Sequence, residues 1–461
     1  MGAGASVSST AGKLTTGLTA TLAEETAKPV DASDIEGEEA LKAEVTRLRT
    51  LIKDASPDGV SLSAVVDVGE DNYPRWFRKS VSGTTLTPEL YKKFCNKIGP
   101  RGFTFDMAIQ CGIDTKSGTG CAIPDSESYY LWQEWYDAMI DARHGHAPGA
   151  KHITDLDYSG IDSSQLPADL DDYCVSTRIR AARNIAGFGL PPASTRAERR
   201  EVERIVKEGL ATLEGELAGT YYSLTDMTDE QSAQLQEDHF LFQIPNPSAM
   251  IFGCGGCRDW PDARGIFHNE AKQFLVWVNE EDQMRVISMQ SGGNVVEVFK
   301  RWADGVNAVE AVVKAAGHEY MYDDHLGMFS SCVSNVGTGL RASMHILLPG
   351  LVEALGMDGL SAFAKTMEMD CRGVGGEHTG AGEGGRVDMS NKKRIGRSEV
   401  QLVQTMVDGI CKLIALEKRC QAGESDAVKA EIAAPAPAAE AAAPAAKVAE
   451  EAAPAAEEAT K

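Results

Sequence analysis

Two arginines stand two residues apart in STRIR, and on a strand the side chains of Arg178 and Arg180 leave the same face. Three more guanidinium groups sit at strand or loop edges: Arg285 behind an acidic knot, Arg341 at the end of NVGTGLR, and Arg372 opening a glycine-rich stretch. Any one of them alone is a solvated surface charge. Five that converge suit a polyphosphate, because each planar fork holds two oxygens. The knot itself, NEED, sets Glu280, Glu281 and Asp282 side by side where two alternating runs meet. The stretch RGVGGEHTGAGEGG has seven glycines between Gly373 and Gly385 and carries Glu377 and His378. Beside an arginine cluster it reads as a lid that closes over a substrate and brings one carboxylate with it. Cys332 has Ser334 two residues on and Arg341 further along. A buried inert thiol is the default, whereas a neighbouring hydroxyl and an arginine favour the thiolate. The chain has no P-loop, no HRD or DFG element and no strand-linked GxGxxG, so a nucleotide would be held by the arginines.

The elements that must position these groups follow from periodicity. YCVSTRIRAARNI, FLVWVNEEDQMRVISM and GMFSSCVSNVGTGLRASMHI alternate apolar and polar residues or run β-branched, which predicts strands. RAERREVERIVKEGLATLEGEL predicts an amphipathic helix between them. Two strands joined at the acidic knot are antiparallel neighbours, so residues 170–421 are expected to form an α+β domain. Residues 72–165 are helical in pattern, broken by CGIDTKSGTGCAIPD and RHGHAPGAKH, and predict a small helical N-terminal domain. Ahead of it, residues 36–71 hold Leu41, Val45, Leu48 and Ile52 at helical spacing, and residues 1–35 read as a disordered leader. Residues 422–461, rich in Ala, Pro and Glu, read as a disordered tail.

Composition excludes several partners. With 68 acidic and 45 basic residues in 461, net charge -23, the chain lacks the basic clusters that bind nucleic acid or anionic membranes. Its 10 scattered cysteines imply reduced thiols in the cytoplasm. Cys254 and Cys257 form one CxxC, but with no second pair or histidines at zinc spacing they read as ordinary thiols, and no metal ligand is assigned. No stretch is long enough to span a membrane. MGAGAS fits the pattern for acylation of Gly2, equally a leader of small residues; one acyl chain would give at most reversible membrane association, for instance at a cilium or flagellum. The sequence carries no signal for an oligomeric state.

STRIR, LAGTYYSLTDM, DHFLF, CRDWPDARGIFHNEAKQFLVWVNEEDQMRVISMQSGG, CVSNVGTGLRASMH, RGVGGEHT and DMSNKKRIG together resemble the phosphagen kinases, the ATP:guanidino phosphotransferases. The resemblance runs from about Trp76 to about Cys420. It implies a small all-helical N-terminal domain, a larger domain with an antiparallel β-sheet flanked by helices, and ATP or ADP with Mg²⁺ as the nucleotide. Carried over motif by motif, Arg178, Arg180, Arg285, Arg341 and Arg372 grip the phosphates, and His239 and His345 lie near the adenine. Glu281 and Glu377 face the guanidinium with Cys332 as a thiolate, and Glu280 lies near the water shell of the magnesium ion. A guanidinium is a poor nucleophile, protonated at neutral pH, so two carboxylates would orient it and take its proton.

For the guanidine itself, KSGTGCAIPDSESY is similar to the specificity loop written SGVGIYAPDAESY in arginine kinases, and Ser117, Gly118 and Thr119 are expected to offer backbone N–H groups to its acidic end. Ala122 replaces the tyrosine of that loop, Lys116 replaces an acidic residue, and the loop is one residue shorter. Val333 and Gly375 also depart from the family pattern. The expected substrate is L-arginine, with taurocyamine close behind. A protein-arginine kinase would lack the helical domain, and a pseudokinase scaffold would not need the full set of arginines and glutamates.

Overall fold

A computed structural model describes residues 73–74, 79–242, 244–373 and 380–433. Gly2, the helix expected over 36–71, Glu377 with His378, and most of the Ala/Pro/Glu segment lie outside the described residues.

The first part of the chain is helical: α1 (Val81–Thr85), α2 (Pro88–Phe94), α3 (Phe105–Asp114), α4 (Ser126–Leu131) and α5 (Gln133–His144). Hydroxyl or carboxylate caps start four of them, with Ser80, Thr87, Thr104 and Asp125 each accepting a backbone N–H from the first turn. Each such cap is worth about 1 kcal/mol. Their shared core is aromatic, with Tyr91, Phe105, Trp132, Trp135 and Tyr136 fully buried. It continues into Leu326, Phe329, Val333 and Val336 of the following domain. The helical domain therefore packs on the loop that carries Cys332.

After α6 (Leu170–Tyr173) come β1 (Cys174–Arg183), α7 (Arg196–Leu210), β2 (Gly219–Ser223), α8 (Asp229–Glu237), α9 (Met250–Gly253), β3 (Gly265–Asn269), β4 (Phe274–Val278) and β5 (Met284–Ser291). The chain goes on through α10 (Val295–Ala315), the two-residue strands β6 (Tyr322–Asp323) and β7 (Gly327–Met328), β8 (Leu340–Leu347), α11 (Pro349–Thr366), β9 (Met369–Gly373), β10 (Arg386–Asn391), α12 (Glu399–Gln421) and α13 (Ser425–Ala433). Eight strands form one antiparallel sheet in the order β2-β3-β4-β5-β1-β8-β10-β9. The α+β expectation is met, and the strands at the acidic knot pair as a hairpin, Val278 opposite Met284.

The period-two pattern separates the sheet's faces. Ile179, Ala181, Val276, Val286, Ala342, Met344 and Met389 point to one side, where they join Phe299 and Trp302 of α10 and Met406 and Ile410 of α12 in the main core. Burying each of the larger side chains contributes roughly 1.5–3 kcal/mol. The opposite face carries Arg178, Arg180, Arg285, Arg341 and, across the register, Asp388 and Arg372.

Two boundaries differ from the sequence reading. In GMFSSCVSNVGTGLRASMHI only Gly327–Met328 (β7) and Leu340–Leu347 (β8) are strand; residues 329–339 between them form a loop in which Gly337 and Gly339 take φ of 96° and 64°. The ordered chain also does not stop at residue 421, because α13 packs Val428 fully into the core before the prolines begin. Among the described residues, no helix is long and apolar enough to cross a membrane.

Candidate active site

The β4–β5 turn holds the acidic knot in a fixed shape. Asn279 takes a left-handed φ of 56°, which asparagine tolerates, and its amide donates to Arg199 O at 2.9 Å and Ala263 O at 2.8 Å. The three acids then part company. Asp282 turns inward, where its carboxylate accepts from Asn184 Nδ2 at 3.0 Å, Ser330 Oγ at 2.9 Å and the Ser331 N–H at 3.0 Å. It staples the Cys332 loop to the sheet. Glu280 meets Arg285 at 3.0 Å, and Glu281 pairs with the same guanidinium through Nη2. Burial pushes the Glu280 carboxyl up, against the pull of Arg285. For Arg285, burial works downward, but Glu280, Glu281 and Asp282 outweigh it and raise the guanidinium above its ordinary value.

Arg178 and Arg180 are crowded by other guanidinium groups. Burial first, then the charge of Arg341, lowers Arg178 to about 10; burial, Arg285 and Arg178 bring Arg180 well below its usual range. Buried Nε atoms of Arg178 and Arg341 have no hydrogen-bond partner among the described residues. Arg341 does reach Asp388 at 2.8 Å, and Arg178 lies over the Trp277 ring at 5.6 Å. Buried donors without acceptors and crowded like charges fit a polyanion such as the phosphates of MgATP.

A cavity of about 590 Å³ opens at the seam of the two domains. Its lining brings together Glu281, Cys332, Arg180, Arg285, Arg341, Arg372, Ser117, Gly118 and Thr119, nine of the residues singled out from sequence. Arg178, His239 and His345 are not in that lining. Arg178 is the next residue along the same face of β1, and His345 continues the face of β8, 3.4 Å from Ser176 Oγ and 4.0 Å from Asp388. His239 is exposed just past α8 with φ of 59°.

Two of the expected groups have partners within the protein. The Cys332 thiol is pushed up, by burial first and by Glu281 next, although hydrogen bonds from Ser334 and Thr119 pull the other way. No arginine is among the leading influences on it, and Arg341 pairs with Asp388. The Ser117 N–H is likewise not offered to a substrate; it donates to Thr115 Oγ1 at 3.2 Å. Cys254 and Cys257 are ordinary thiols raised by burial to about 12 and about 11. Among the described residues, no group of three or more His, Cys, Asp or Glu side chains could hold a metal.

Sequence reasoning missed Arg143, Arg394 and Asp388. Arg143 lies in the last turn of α5 and enters the cavity from the helical domain, 3.7 Å from Asp370. Arg394, in the lining after β10, donates to the carbonyls of Asn391 at 2.6 Å and Lys393 at 3.0 Å, and burial lowers it to about 9. DMSNKKRIG contained both Asp388 and Arg394, but nothing in that string marks them as site residues.

Known proteins resemble this chain over both domains. Residues 201–420 match the family model for the ATP:guanido phosphotransferase C-terminal catalytic domain, and residues 78–141 match that for the N-terminal domain. The chain is 44% identical to creatine kinase B-type of Gallus gallus over 364 residues, 77% of this chain and 93% of that one. It is 43% identical to creatine kinase M-type of Canis lupus familiaris over the same length and shares. A crystal structure of lombricine kinase, 41% identical, superposes with a TM-score of 0.71 over 78% of this chain and 96% of that one. The duplicated taurocyamine kinase of Schistosoma mansoni with bound transition state analog components, 36% identical, gives 0.64 over 74% of this chain and 46% of that one.

Proposed function

The chain belongs to the ATP:guanido phosphotransferases, the phosphagen kinases, which move a phosphoryl group between MgATP and a guanidino nitrogen, and from that premise we propose that its guanidine is a small ω-guanidino acid without an ammonium group, with taurocyamine as the type. One observation carries this reading. Lys116, Arg143, Arg180, Arg285, Arg341, Arg372 and Arg394 all line the cavity, and Glu281 is the one carboxylate among the described residues lining it. Glu281 is needed at the guanidinium, so among the described residues lining the cavity no acid remains for the α-ammonium of arginine, whereas Lys116 and Arg143 suit a sulfonate. L-Arginine is the second reading, supported by the likeness of the Ser117–Gly118–Thr119 loop to the arginine-type loop.

The reaction is an exchange of one bond and one proton. The P–O bond to ADP breaks, the N–P bond forms, and the proton lost from the guanidino nitrogen passes to a carboxylate. Glu281 takes that proton, with Glu377 as the second carboxylate facing the guanidinium. Arg178, Arg180, Arg285, Arg341 and Arg372 hold the triphosphate in line and stabilise the charge of the loose transition state. Mg²⁺ bound with the nucleotide would supply charge neutralisation at the phosphates, with Glu280 near its water shell. The substrate guanidinium replaces Arg285 as the partner of Glu281, and its charge favours the Cys332 thiolate that burial opposes. Seating of the helical domain against the Cys332 loop keeps water from the phosphate. Acylation of Gly2 would add a reversible membrane contact, and an unmodified mature N-terminus by intact-mass analysis would eliminate that reading.

Steady-state kinetics with MgATP and a panel of taurocyamine, L-arginine, lombricine and creatine tests the assignment. The largest kcat/KM is expected for taurocyamine. A larger value for arginine would overturn it in favour of the second reading.

A further inference from the structure

Cys332 is 3% exposed, and its sulfur has two hydroxyl neighbours from different domains: Ser334 Oγ at 3.1 Å within its own loop, and Thr119 Oγ1 at 3.1 Å from the specificity loop of the helical domain. Two backbone hydrogen bonds seat that loop on either side of Thr119. The Lys116 N–H donates to Ser248 O at 3.0 Å, and the Ile123 N–H donates to Ser331 O at 2.8 Å, immediately before Cys332. An ionised sulfur can only accept, so in that state the Thr119 hydroxyl donates to it. The Gly120 N–H donates to Ser117 Oγ at 3.0 Å, and Ser117 Oγ lies 3.0 Å from Thr119 Oγ1, within reach to donate to it in turn. The titratable groups facing the sulfur are Glu281 from the β4–β5 turn, Cys111 from α3, Cys121 from the specificity loop and Cys254 just past α9. None of these is a cation. Before a guanidinium arrives, the two hydroxyls and the Ser334 backbone N–H are the groups that offset negative charge on the sulfur.

We infer that Thr119 is a positioning residue for the phosphoryl transfer: its hydroxyl, presented across the domain seam, donates to the Cys332 sulfur and makes the thiolate depend on the helical domain being seated. This rests on the assignment of Cys332 to the guanidine site. Thr119 stands where the arginine-type loop SGVG has valine, and presenting backbone needs no hydroxyl, so the hydroxyl calls for a role of its own. Ser334 acts from within the catalytic domain and cannot report domain docking; Thr119 can.

The test is the pH profile of Cys332 alkylation by iodoacetamide in the full-length enzyme without guanidine, read by mass analysis of the Cys332 peptide. Thr119→Val keeps the shape and removes the donor; Thr119→Ser keeps the donor. For Thr119→Val, the midpoint is expected to rise by about one pH unit, with alkylation about tenfold slower below it. Thr119→Ser should stay within about twofold of the parent. Affinity for MgADP should be unchanged in both, while kcat with the preferred guanidine falls only in the valine variant. A Thr119→Val profile that superimposes on the parent would overturn the inference, as would a Thr119→Ser profile displaced as far as the valine one. If Thr119→Val does not fold, Ser117→Ala interrupts the chain one step earlier and should move the midpoint upward by a smaller amount; an unmoved midpoint there overturns it too. Because the alkylation contains no guanidine, its outcome is independent of which guanidine the panel selects.

Discussion

Replacing Glu281 by glutamine separates the charge of this side chain from its shape. In the free protein the carboxylate is paired with Arg285, with side-chain exposures of 24% and 9% respectively. A carboxylate and a guanidinium at contact distance near a protein surface attract by about 4 kcal/mol before desolvation is counted. Binding of substrate exchanges one guanidinium partner for another, so most of that attraction cancels in the ground state and the KM for the guanidine should change by no more than about threefold. The transition state has no such cancellation, because a glutamine amide cannot accept the departing proton. General base catalysis contributes roughly 10²–10⁴-fold, or about 2.7–5.4 kcal/mol, and kcat for Glu281→Gln should fall by that factor. The KM for MgATP should be nearly unchanged, since Arg285, the arginine that pairs with Glu281, keeps its ion pair with Glu280 at 3.0 Å. ADP release measured at saturating MgATP and guanidine reads both constants. A kcat within about threefold of the parent would refute the role given to this carboxylate.

Lys116→Ala should raise the KM for taurocyamine about tenfold, the loss of one charge-assisted hydrogen bond of about 1.4 kcal/mol, and leave the KM for MgATP unchanged by initial-rate kinetics. Asp259 gives a pH signature: hydrogen bonds from Arg196 and then Arg199 lower its carboxyl to about 2. With an unfolded value near 4, its contribution to stability is complete above about pH 4 and is lost as the pH falls toward 2, so Asp259→Asn should flatten that part of the acid-unfolding curve followed by circular dichroism. Gly209→Ala would place a Cβ 1.5 Å from Val312 Cγ1 where α7 crosses α10, so chemical denaturation should show a loss of about 1–3 kcal/mol while kcat of the folded fraction is retained.

Much of the site was legible because a strand repeats every two residues. Arg178 and Arg180 on one face, and a hairpin flanking NEED, follow from alternation alone. Topology supplied what the sequence could not. Arg143 ends a helix of the other domain and Arg394 follows the seventh strand across the sheet, so their convergence on one cavity depends on packing across the seam. NEED reads as three equal acids, yet Asp282 is spent on Asn184, Ser330 and Ser331, and only hydrogen bonding in three dimensions distinguishes it from Glu281. The Cys332 loop looked strand-like because Phe329, Val333 and Val336 are apolar, but they are the residues the helical domain packs on. The Cys332 thiol is pushed up for a related reason: seating that loop buries the sulfur beside Glu281. Val428 and its helix were hidden by the Ala- and Glu-rich composition they share with the proline-containing tail.

The most direct test of the account is a crystal structure of the enzyme with MgADP, nitrate as a planar mimic of the transferring phosphoryl group, and taurocyamine. The account predicts the guanidinium between the carboxylate of Glu281 and the sulfur of Cys332, the sulfonate toward Lys116 and Arg143, and the nucleotide phosphates on Arg178, Arg180, Arg285, Arg341 and Arg372. A guanidinium bound away from Glu281, or phosphates that leave those arginines untouched, would contradict it.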